Sequence, residues 1–246
     1  MAGHSHWAKI KRAKGANDAK RGKFWSKIAR KIIIAARGGG DPRDNLTLRY
    51  VIDEAKAANM PKDTIEKAIL KGTGELGGEN YENITYEGYG PGGVAFMVDV
   101  LTNNRARTAP EMRKIFEIAG GNLASSGSVA FQFTKQGMIM IRPDAVAEDK
   151  LIEVALDAGA EDVKAEAEGF AVVTAPTMFH KVKEAVEAAG VPVEGAEITN
   201  LAQNTVRVEG DMARRIQKLI DVLEDHEDVQ NVSHNADMPE SIAAEA

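Results

Sequence analysis

Cysteine is absent from the 246 residues, which excludes disulfides, thiolate metal centres and a cysteine nucleophile. Aromatic residues are scarce, at 5% of the chain. No apolar run approaches the ~20 residues that span a bilayer, and the N-terminus lacks the apolar core of a signal peptide. Such a chain is expected in the cytoplasm, with no membrane partner. Acids are nearly missing from one stretch: between Lys9 and Arg37 the sole one is Asp18. Against it stand Lys9, Lys11, Arg12, Lys14, Lys20, Arg21, Lys23, Lys27, Arg30, Lys31 and Arg37. These eleven cations give the stretch +10 in a protein of formal net charge −6, so the rest carries −16. A basic head on an acidic body points to a polyanion as the partner of the head.

The second half of that stretch reads as a helix from Asp18 to Arg37, stopped by Gly38-Gly39-Gly40. At about 100° per residue, Lys20, Lys23, Lys27, Arg30 and Lys31 share one side. Phe24, Ile28, Ile32 and Ala35 share the other, widened by Trp25 and Ile33. A merely solvated face usually carries Glu–Lys pairs at i,i+4, and this one has none. A basic amphipathic helix also suits an anionic lipid surface, but the apolar face is needed for packing onto the next two helices.

Ahead of this helix, Met1 to Ala16 shows little apolar periodicity and is expected to be an arm that orders on its partner, with Trp7 available to stack on a base or enter a groove. Loss of Met1 would leave Ala2-Gly3-His4, whose amine, amides and imidazole form a square-planar copper or nickel chelate. That match arises by chance in many chains, and neither a metal nor a cofactor is assigned. After the triglycine, a second helix is expected from Asp41-Pro42-Arg43-Asp44 through Ala58. A third opens at Met60-Pro61-Lys62-Asp63 and ends at Lys71-Gly72-Thr73-Gly74.

Beyond Tyr81 strands and helices alternate. The expected strands are Val94 to Leu101, Val129 to Thr134, Met138 to Ile141, Val163 to Glu168, Phe170 to Thr174, Ala196 to Leu201, Thr205 to Val208 and Val229 to His234. Helices are expected at Thr108 to Ala119, Ala147 to Ala158, Met178 to Ala189 and Met212 to Glu224. The fold class is therefore α+β: a three-helix domain followed by two ferredoxin-like α/β sandwich domains, one inserted in the other. The boundaries fall at 1–78 for the basic helical domain, 79–135 plus 203–238 for the discontinuous one, 136–202 for the insert and 239–246 for a frayed tail.

Few motifs suggest chemistry. Gly88-Tyr89-Gly90-Pro91-Gly92-Gly93 matches a dinucleotide loop by letter, but a strand follows where a helix N-terminus is required. It reads as a Pro-Gly turn instead. Arg105 and Arg107 lie at the start of a helix capped by Thr108, where they suit a phosphate as secondary contacts. Ser125-Ser126-Gly127-Ser128 has no neighbouring Asp or His to activate a serine. The acids Glu161-Asp162, Glu166, Glu168, Glu224-Asp225 and Glu227-Asp228 fit neither a calcium loop nor a paired acid–base site. They read as solvated surface or as a dock for something basic. His180, His226 and His234 are isolated.

Several of these segments taken together are similar to one family. Ala2-Gly3-His4-Ser5, Trp7, Asp18-Ala19-Lys20-Arg21-Gly22-Lys23 and Gly38-Gly39-Gly40-Asp41-Pro42 resemble the YebC/PmpR family, as do Tyr86-Glu87-Gly88-Tyr89-Gly90-Pro91-Gly92-Gly93, Gly121-Asn122-Leu123 and Gly127-Ser128-Val129-Ala130. The resemblance runs from the first residue to about His234. Two positions depart from the pattern: His6 stands where lysine is common, and Asn103-Asn104-Arg105-Ala106-Arg107 replaces D-N-R-N-R. The resemblance implies a helical domain, two α+β domains and no enzyme activity or small-molecule substrate. It also implies a nucleic-acid partner, either DNA in transcriptional regulation or ribosomal RNA during synthesis of proline-rich stretches. A basic arm on an acidic body favours RNA on the ribosome over extended duplex.

Overall fold

The computed structural model describes Trp7, residues 18–77, 80–166 and 168–239, and Ile242. Three helices come first: α1 (Asp18–Ala36), α2 (Leu46–Ala57) and α3 (Lys62–Thr73). Ile28, Ile32, Ile33, Ala35 and Ala36 of α1 are buried against Leu48, Ile52 and Ala55 of α2 and Ile65 and Ala68 of α3. Phe24, expected on this apolar face, is exposed. The core begins one turn later at Ile28, and Trp25 closes its end with its indole N–H donating to the Ala58 carbonyl at 3.0 Å. Helix α2 starts later than its sequence suggests. Asp41 turns back to accept from the Arg43 backbone and guanidinium, and Asn45 becomes the cap, accepting from the Leu48 N–H at 3.0 Å. Gly72 lies where α1 and α3 cross. A Cβ there would collide with the Ile33 carbonyl and come within 2.6 Å of the Ala36 Cβ.

The chain continues with β1 (Glu82–Tyr89), β2 (Ala95–Thr102), α4 (Arg105–Ala119) and β3 (Asn122–Leu123). Then come β4 (Phe133–Ile141), α5 (Glu148–Ala158), β5 (Asp162–Glu166), β6 (Gly169–Thr174), α6 (Phe179–Ala188) and β7 (Val193–Ala202). The last elements are β8 (Val206–Arg207), α7 (Gly210–Asp225), β9 (Val229–His234) and β10 (Ala236–Asp237). One antiparallel sheet has the order β3-β1-β2-β9, a second the order β5-β6-β4-β7, and β8 pairs in parallel with β10. The second sheet, with α5 and α6, has the ferredoxin-like order and is inserted between β3 and α7 of the first. Phe96, Val98 and Val100 of β2 pack under Met112 and Phe116 of α4 and Ile216, Leu219 and Leu223 of α7. Beside Met238, Ile242 packs against this core from within the segment 239–246 expected to fray.

Three departures from the expected strands share physical causes. Strand β1 has no counterpart in the sequence reading, because its alternation is broken by the buried carboxylate of Glu87. Val129 to Thr134 does not form a strand of its own: Ala130–Gln132 is a single 3-10 turn and Phe133 already belongs to β4. The N–H groups of Gly127, Val129 and Ala130 donate to Glu87 at 2.6–2.9 Å, so they cannot join a ladder. Burial works to raise the Glu87 pKa, but these three N–H bonds outweigh it and hold the carboxylate below its ordinary value. Gly137, which falls between the expected strands Val129 to Thr134 and Met138 to Ile141, lies inside β4, where a side chain would strike Phe179 at the start of α6.

Gly72→Val is expected to destabilise the protein by about 1–3 kcal/mol through overpacking at the α1–α3 crossing. Gly22→Ala, where nothing lies within 4 Å, is expected to hold or raise stability. Urea midpoints at constant m-value separate the two.

Candidate nucleic-acid interface

Helix α1 has two occupied faces. Its apolar side faces α2 and α3, and its cationic side meets the C-terminal end of α7 and the turn that follows. Lys23 Nζ reaches both Asp225 carboxylate oxygens, at 2.8 and 2.7 Å. Lys27 Nζ donates to the Glu224 carbonyl at 2.5 Å. The Arg30 guanidinium donates to the Glu227 carbonyl, and lies 3.2 Å from both a Glu227 and an Asp228 carboxylate oxygen. Glu224 and Asp225 sit at a helix C-terminus, where acids oppose the helix dipole. Cations from α1 resolve that conflict by meeting both the carboxylates and the terminal carbonyls.

Asp228 is the deepest point of the contact, only 1% exposed. Besides Arg30, its carboxylate accepts from Arg107 Nη2 at 2.7 Å and from the Thr108 hydroxyl at 2.8 Å. Burial by itself raises its pKa. The hydrogen bonds from Arg107 and Thr108, with the charges of Arg107 and Arg30, outweigh that and hold it below the ordinary carboxylate value. The Asp228 N–H donates to His226 Nδ1 at 3.1 Å, so a neutral His226 carries its proton on Nε2, which faces Glu111 at 3.2 Å. His226 is thus a brace. His180 is stacked on Tyr50 of α2 with ring centroids 3.2 Å apart, and His234 Nδ1 accepts from the Ala236 N–H.

The remaining expected contact residues are dispersed. Lys9, Lys11, Arg12 and Lys14, the side chain of Lys20 and the Ala2-Gly3-His4 sequence lie outside the described residues. Arg21 is exposed at the start of α1. Lys31 pairs with Glu54 at 2.8 Å, and Arg37 donates to the Tyr81 carbonyl at 3.0 Å. Arg105 is exposed at the head of α4. Arg107, beside that helix N-terminus, donates to the chain's own Asp228, and the cap is Asn104 rather than Thr108. Trp7 requires a correction. It is 4% exposed, packed on Met138, Met140, Ala171, Val173 and Leu201, and therefore closed to a base. These residues alternate with Ile139, Ile141 and Val172, which face the helices, so the insert's sheet is apolar on both faces and its second face needs a cover. Gly169 leaves room for the indole, since a Cβ there would lie 2.7 Å from Trp7 Cζ2. The acidic turn was visible in the sequence but not its partner. The misplacement of acids at a helix C-terminus was the available signal.

Among the described residues, no group of three or more His, Asp or Glu side chains could hold a metal ion, and no helix is long and apolar enough to cross a membrane. Residues 5–75 match the family described as the TACO1/YebC protein N-terminal domain, and residues 81–236 match the TACO1/YebC second and third domain. The chain belongs to the YebC family. A probable transcriptional regulatory protein of Acidithiobacillus ferrooxidans is 52% identical over 239 residues, covering 97% of this chain and 95% of that one. A protein of the same description from Desulfatibacillum aliphaticivorans is 52% identical over 246 residues, covering 100% of each. The crystal structure of a conserved hypothetical protein from Aquifex aeolicus superposes with a TM-score of 0.82 at 46% identity, over 90% of this chain and 92% of that one. Within this YebC chain, the Tyr86 to Gly93 motif is structural. Gly88 and Gly90 admit Phe116 and Phe96 against the backbone, and Gly92 turns the β1–β2 hairpin at φ 72°.

Asp228→Asn is expected to cost about 3 kcal/mol at neutral pH, by leaving Arg30 and Arg107 facing a neutral amide in a buried site. The wild-type contribution is present above the ordinary carboxylate pKa of about 4 and is lost as pH falls through the lower folded value. Urea titrations across pH should therefore show the variant and wild type converging below about pH 4.

Proposed function

We propose that this protein is a non-enzymatic, nucleic-acid-binding regulator of gene expression that acts on RNA of the ribosome and assists translation of difficult, proline-rich stretches. The regulator role is supported by the name its relatives carry, probable transcriptional regulatory protein. The absence of catalysis is supported by the displaced carboxylates Glu87 and Asp228, each fully engaged in structural bonds. The observation that carries the RNA reading is the seating of α1. A groove-reading helix must project from its domain, whereas α1 is packed on one face and ion-paired on the other. Phosphate contacts from the basic residues Lys9, Lys11, Arg12 and Lys14, with Lys20 and Arg21 at the head of α1, suit irregular RNA better than a major groove. A second reading, a DNA-binding transcriptional regulator, is favoured by the printed name of the relatives.

Binding to ribosomes, a structured RNA hairpin and duplex DNA over a salt series tests these readings. In the RNA reading, association with ribosomes is saturable. It is lost in Lys9→Glu/Lys11→Glu/Arg12→Glu/Lys14→Glu, and the wild-type log K falls with log salt as expected for a contact made through phosphates. Tight, sequence-selective binding to duplex without ribosome association replaces it with the second reading.

A further inference from the structure

We propose that the acidic turn closing α7 is a built-in competitor for phosphates: Asp225 and Glu227 occupy Lys23 and Arg30, and a polyanion must displace them before those cations can act. The inference rests on the nucleic-acid reading above and adds its regulation.

Lys23, Lys27 and Arg30 follow one another at i, i+4 and i+7, and each is satisfied by an oxygen of the segment 224–228. Carboxylate oxygens lie 2.7–3.2 Å from Lys23 and Arg30, the range that phosphate oxygens would take. The contact has two tiers. The outer one is wet: Lys23 is 50% exposed, and Asp225 and Glu227 are each 60% exposed. Such pairs are weak and screened by salt. The inner one is dry, with Asp228 buried and shared between Arg30, Arg107 and Thr108. A nucleic acid therefore has an exchangeable outer set to replace. The Arg107–Asp228 bond stays in place, so the turn remains tied to α4 while its outer carboxylates swing clear. Lys31 takes no part in the exchange, being paired with Glu54 inside the helical unit. Binding becomes a substitution of one set of anions for another, and its cost is set by two exposed acids.

The test uses the full chain, a fluorescein-labelled RNA hairpin and a duplex DNA of equal charge. Asp225→Asn/Glu227→Gln changes only exposed groups and should melt like wild type. It is expected to bind the RNA about tenfold more tightly near 0.1 M salt, with a slope steeper by about 1 unit as Lys23 is released and Arg30 keeps only its inner partner Asp228. Unchanged or weaker binding by this variant, while wild type binds and the four-residue charge reversal abolishes that binding, overturns the competitor and leaves the nucleic-acid function standing. No binding by either protein to any of the probes overturns both.

Discussion

The carboxylate of Asp228 ties together elements that the chain keeps far apart. It is presented by the turn between α7 and β9, held by Arg107 and Thr108 at the head of α4, and reached by Arg30 from α1. Its own carbonyl accepts from the Leu101 N–H, which fixes the end of β2 against the same turn. A buried anion with this many donors persists only because each donor is positioned by a different element, and each element is in turn oriented by the anion. The arrangement of the helical unit over the first sandwich follows from it.

This contact changes the meaning of the charge asymmetry. A basic segment and an acidic body suggest a molecule that is positive at one end and negative at the other. Much of that separation is closed internally, where α1 lies along the carboxylates and terminal carbonyls of α7. The field that a distant partner meets is accordingly smaller than the formal charges suggest, and it depends on whether this contact is shut.

Elements whose signal is local were readable in the sequence. The α1 stripe of Ile28, Ile32 and Ala35 is buried, β9 spans Val229–His234 as expected, and the ferredoxin-like order of the insert follows from its alternating pattern. What the sequence hid depends on long-range partners. Glu87 looks like a surface acid in a weak strand until the 127–130 backbone closes on it. Gly137 falls in the gap between two expected strands, and only Phe179 beside it shows why a glycine stands inside one continuous strand. Of the candidate site, the cations were readable one by one, but not that Asp225, Glu227 and Asp228 would meet them some two hundred positions later. Trp7 misled for a related reason: a tryptophan in a polar, basic segment suggests a ligand contact, and nothing local reveals a sheet with two apolar faces.

The way the insert is joined has a mechanical consequence. The chain enters it along β4 and leaves along β7, and these two strands are paired from Phe133↔Ala202 onward. The Gln203 N–H extends the ladder to the Gln132 carbonyl. Two sandwiches joined by a hydrogen-bonded ribbon behave like plates on a leaf spring: they can flex and twist a little, but a hinge would require breaking the ladder. Relative motion of the two sandwiches is thereby confined to the flexing that this ladder allows.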